Sequence, residues 1–69
     1  MSLATIIVAE ECDRGNITEE MFNEADLVII VCEGWATVNK STFKPELPTS
    51  LRANEVPYLI AELVKGIIS

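Results

Sequence analysis

The sequence predicts an α/β fold: a small sheet containing a parallel βαβ unit, a third strand or extended arm, and a C-terminal amphipathic helix. Three observations carry this. Leu27–Cys32 is wholly apolar and mostly β-branched, the composition of a strand covered on both faces. A second apolar run, Thr5–Ala9, precedes it by roughly fifteen residues, the length of a parallel crossover with a helix, where an antiparallel pair would need only a short turn. Finally, Val56, Leu59, Ile60, Leu63, Val64, Ile67 and Ile68 recur at i, i+3, i+4, i+7, i+8, i+11 and i+12, one apolar stripe along a helix.

In chain order, Thr5–Ala9 reads as the first strand, ended by Glu10–Glu11 and a turn over Cys12–Asn16. Asn16 or Thr18 can cap a short helix whose first turn holds Glu19 and Glu20, where carboxylates favour the free N–H groups. Ile17, Met21 and Ala25 give that helix an apolar face. The spine strand follows, and Glu33–Gly34 breaks it. Trp35–Val38 is the third strand or arm. Residues 39–53, with Pro45 and Pro48, read as a loop pinned by Phe43, Leu47 and Leu51. Asn54 then caps the final helix, with Pro57 tolerated in its first turn. Residues 1–69 form one domain, too small for a core that leaves much stability over the entropy of ordering the chain. A homo-oligomer is the expected source of the remainder, its seam the helix stripe or an edge of the sheet.

Charge and composition narrow the function. Eleven acidic against five basic residues give a net charge of −6, which opposes direct nucleic-acid binding and permits a basic protein partner steered by charge. Met1–Ser2–Leu3 lacks a basic flank, and the apolar run after it is too short for a signal core or membrane span. A cytoplasmic chain with reduced thiols and no membrane contact is the expectation. Histidine is absent, so neither a Ser/His/Asp nor a Cys/His arrangement exists. No metal or other cofactor is expected, because two thiols plus carboxylates are an uncommon zinc set.

Gly34–Ser41 matches the phosphate-loop pattern G-x-x-x-x-G-K-[ST] except at Asn39. The helix that must follow its lysine has no room before Pro45. Cys12 and Cys32 should share the carboxyl edge of the parallel pair, where ligands of open α/β sheets bind. Carboxylates around them should raise the thiol pKa, and the expected state is two unreactive thiols with Cys32 buried. Trp35, beside a glycine after a buried strand, reads as a core lid, and as the first interface anchor if exposed. Glu10, Glu11, Glu33, Trp35 and Tyr58 are the expected partner-binding residues.

Asn16–Glu20 through Glu24–Ile30, with Phe43 and Pro45 downstream, resembles the later part of fructose-type IIB domains of the sugar phosphotransferase system. The resemblance implies their fold. It omits their first strand and phosphate-accepting cysteine loop, and Cys12 stands elsewhere in the order of elements, so phosphoryl transfer is not implied. The leading expectation is a non-enzymatic, acidic protein-binding module that regulates a host protein, by analogy with small inhibitors from phage and mobile elements. The alternatives are a reduced IIB-like or other small-ligand carrier using the Cys12/Cys32 edge, and a structural subunit of an assembly.

Overall fold

The computed structural model describes residues 4–43 and 47–68, with side chains through residue 66. Met1, Ser2, Leu3, Pro45 and the side chains of Ile67 and Ile68, all invoked above, lie outside the described residues. The elements run β1 (Ile6–Glu10), a 3₁₀ segment (Glu11–Asn16), α1 (Glu19–Glu24), β2 (Leu27–Cys32), β3 (Trp35–Ser41), β4 (Ser50–Arg52), a 3₁₀ turn (Ala53–Glu55) and α2 (Val56–Ile68). They build one four-stranded sheet in the order β1-β2-β3-β4. β1 and β2 are parallel, in register from Ile6–Leu27 to Glu10–Val31. β3 returns antiparallel to β2, and β4 antiparallel to β3.

β2 is the spine of the core. Leu27, Val28, Ile29 and Ile30 are all buried, and because successive strand residues point to opposite faces, they divide into two clusters. Leu27 and Ile29 pack with Ala36, Leu51 and Val56, flanked by Leu59, Ile60 and Leu63 of α2. Val28 and Ile30 pack with Ala25, flanked by Ile7, Ala9 and Ile17. One face of the sheet is therefore covered by α2. The crossover covers the β1–β2 half of the other face.

Several expectations change. Cys12–Asn16 is part of a 3₁₀ segment, not an open turn. Met21 is 43% exposed, because α1 has only six residues and buries none of them; Thr18 caps it by accepting from Met21 N–H at 3.1 Å. The stretch read as a loop from Asn39 contains the end of β3 and all of β4. Phe43 and Leu47 nevertheless pack on the α2-side core, and Leu51 belongs to it. Asn54 does not cap α2. It sits inside the 3₁₀ turn that leads into the helix, where the Arg52 backbone N–H donates to the Glu55 carboxylate at 3.3 Å.

Gly34–Ser41 is not a phosphate loop. After Gly34 it is strand β3, whose amides serve the sheet rather than converging on an anion; Val38 N–H, for example, donates to the Thr49 carbonyl at 2.9 Å. The bulge between Val28 and Ile29 inserts Asn39 and leaves Lys40 opposite Val28. From there the Lys40 ammonium donates to the Phe22 and Asn23 carbonyls at 2.8 and 2.9 Å, closing the C-terminal end of α1. No helix among the described residues is long and apolar enough to cross a membrane.

Candidate functional site

The carboxyl ends of β1 and β2 meet at one edge, as a parallel pair requires. Glu10, Glu11, Cys12, Val31, Cys32, Glu33 and Gly34 line a shallow depression there of about 600 Å³. The hairpin turn that bounds it is tight. Glu33 has φ 47° and Gly34 φ 84°, the two positive angles of a type I′ connection. The Ala53 N–H donates to the Gly34 carbonyl at 2.8 Å and ties the start of the C-terminal segment to the same turn.

Beside the depression stands Trp35, 58% exposed. It is not a core lid. Hairpin register sets Trp35 opposite Cys32 and Arg52, while its neighbour Ala36 opposes Val31 and Leu51 and takes the buried position under α2. Strand alternation thus sends Trp35 to the face α2 leaves open. Cys32, Trp35 and Arg52 form an exposed cross-strand row on three adjacent strands, with Thr37 and Ser50 exposed in the next. Glu33, in the turn between Cys32 and Trp35, adds negative charge beside this row, Glu10 pairs with Val31 and so lies toward the α2 side at the same strand end, and Arg52 supplies positive charge on the β4 side.

Comparison with protein-family models, curated proteins and solved structures finds no match. None links the chain to phosphotransferase IIB domains.

Both cysteines are exposed and free, which corrects the expectation of a buried Cys32. Cys32 follows the parity of Ile30 but lies at the end of the strand, where neither α1 nor the 3₁₀ segment covers it. The Cys12 thiol is pushed above its ordinary pKa, chiefly by its 3.5 Å hydrogen bond to the Glu10 carboxylate and then by the negative charge of Asp13. A thiol held protonated is a poor nucleophile and a poor metal ligand. Donor atoms of Glu10, Cys12 and Asp13 lie within 4.8 Å of one another, but all three residues are exposed.

The expected partner-binding residues separate into two places. Glu10, Glu11 and Glu33 line the depression, and Trp35 stands next to it. Tyr58, 76% exposed, lies on α2, on the other side of the sheet. Sequence reasoning missed Arg52, whose place in the row depends on β4. A Ser-Leu-Arg alternation with one apolar position is the signal, but three residues are too short a pattern to separate from the loop around them.

Proposed function

We propose that this chain is a non-enzymatic protein-binding module whose contact surface is the open end of the sheet around Trp35. The observation that supports the reading best is a large aromatic side chain left 58% exposed on a bare sheet face, at the end of the sheet where Glu10, Glu11 and Glu33 line a depression. Aromatic anchors of this kind supply most of the binding energy when a partner desolvates them. The acidic depression at that end of the sheet steers a basic partner, and Arg52 at the other end of the row fixes its orientation. Backbone strain points to the same place. A type I′ turn favours Asn-Gly, yet Glu occupies the first position, as it would if its carboxylate were retained for contact. The raised pKa of Cys12 opposes the carrier reading of this edge, since a carrier needs a nucleophile there.

The test is quantitative capture from the source cells by wild type, Trp35→Ala and Tyr58→Ala, with mass spectrometry of retained proteins and thermal melts of each variant. A specific partner should bind wild type and Tyr58→Ala and be weakened about thirtyfold by Trp35→Ala, the loss of a hot-spot side chain. The melting temperature of Trp35→Ala should stay near wild type. Equal retention by Trp35→Ala, or loss confined to Tyr58→Ala, would refute this surface.

A further inference from the structure

β1 is an edge strand, and its outer edge has no partner strand among the described residues. Which of its backbone groups face outward follows from Thr5. The Thr5 carbonyl accepts from Asp26 and Leu27 N–H at 2.8 and 3.3 Å, and its own N–H donates to the Asp26 carboxylate at 3.0 Å, so Thr5 faces β2. Alternation then turns Ile7 and Ala9 toward β2, and Ile6, Val8 and Glu10 outward. Val8 is at the centre of this outward row. Its side chain, level with Ile29 on the α2 side of the sheet, is 45% exposed.

The two edges of the sheet differ in how they are guarded. β4 has three residues, exposes Ser50 and Arg52, and follows Pro48, the short, charged and proline-flanked form that resists strand addition. In β1, Ile6–Ile7–Val8–Ala9 has no charge, no proline and no bulge. Such an edge is a template for another strand.

We infer that β1 pairs antiparallel with β1 of a second copy about a two-fold axis at Val8, joining two four-stranded sheets into one of eight. The register is self-complementary. Val8 opposes Val8 in a hydrogen-bonded pair, and Ile6 of each copy opposes Glu10 of the other, so all three outward residues are used. Charge does not oppose this register in a chain of net charge −6. The two Glu10 residues stand at opposite ends of the seam, about 13 Å apart at the rise of a β-strand and beyond the ~8 Å screening length of physiological salt. Because the axis is perpendicular to the sheet, both α2 helices lie on one face, and both Trp35 rows remain open on the other.

Sedimentation velocity over a range of concentrations, together with cysteine crosslinking, tests the seam. Wild type should sediment as a dimer. Val8→Lys, which places a guarding charge on the edge without touching a group that faces β2, should sediment as a folded monomer. In a Cys12→Ser/Cys32→Ser background, Val8→Cys should give a dimer crosslinked by a short bis-maleimide, and Val64→Cys on α2 should not. A monomeric wild type at every concentration overturns the inference. So does a dimer in which Val8→Cys fails to crosslink, whatever Val8→Lys does, because the contact then lies elsewhere.

Discussion

Glu33 holds φ 47° although a non-glycine residue in the left-handed region costs roughly 1–2 kcal/mol. Asn tolerates that region better. Glu33→Asn is therefore expected to raise the melting temperature by about 4–8 °C, the shift that ~1 kcal/mol produces in a domain of this size. If Glu33 is kept for contact, the same variant will bind the partner captured by wild type less tightly. Gly34→Ala should lower the melting temperature. A Cβ at Gly34 would meet no atom within 4 Å, so the loss comes from φ 84° alone. At Cys12 the prediction concerns reactivity. Glu10→Gln removes the carboxylate that holds the proton on sulfur, which lowers the thiol pKa toward its ordinary value and enlarges the thiolate fraction at neutral pH. Alkylation of Cys12 in a Cys32→Ser background should then be faster than with Glu10 present.

α1 is too short to be stable alone and buries no residue, so its anchors decide its order. One is the Thr18 cap. The other is Lys40, whose ammonium reaches two C-terminal carbonyls and stands 5.4 Å from the centre of the Phe22 ring. This is the lysine that a phosphate-loop reading would assign to a nucleotide. Lys40→Met should increase hydrogen exchange at the Phe22 and Ala25 amides and leave the β1–β2 ladder protected, as read by exchange mass spectrometry. Asp26 has the corresponding role at the opposite end of the sheet from the Trp35 row. Its carboxylate accepts from the Thr5 N–H at 3.0 Å and the Thr42 hydroxyl at 3.3 Å, joining the start of β1 to the segment after β3. Asp26→Ala should cost about 1–2 kcal/mol in urea denaturation.

The stability of the whole molecule is concentrated in β2. Ile29 is fully buried and packs in the larger cluster, so Ile29→Ala should cost about 2–5 kcal/mol by lost transfer energy and cavity formation. A small domain has only about 5 kcal/mol in total, and the variant should be largely unfolded by circular dichroism at low protein concentration. Pairing through β1 would couple stability to concentration, so wild type should melt at a higher temperature as concentration rises while Val8→Lys should not.

The β-branched run at Leu27–Cys32, the crossover length before it and the stripe from Val56 were enough to establish the α/β class, the parallel β1–β2 pair and α2, because each depends on a period or length internal to one segment. The carboxyl edge with Glu10, Glu11, Cys12, Cys32 and Glu33 was legible for the same reason, since parallel pairing puts both strand ends together. Trp35 and Cys32 are exposed, although local composition points to a lid and a buried thiol. Their exposure depends on which face of the sheet α2 covers and how far the crossover reaches across the other, and local composition does not encode either. β4, Arg52 and the Lys40 clamp escaped sequence reasoning altogether. A three-residue strand has no readable period, and a bulge that redirects a lysine arises only when two strands pair. The sequence by itself determined the parallel β1–β2 pair with its shared carboxyl edge, the start of β3, and α2. Only the tertiary structure decided which side chains remained outside, because burial is set by what packs on top of a strand.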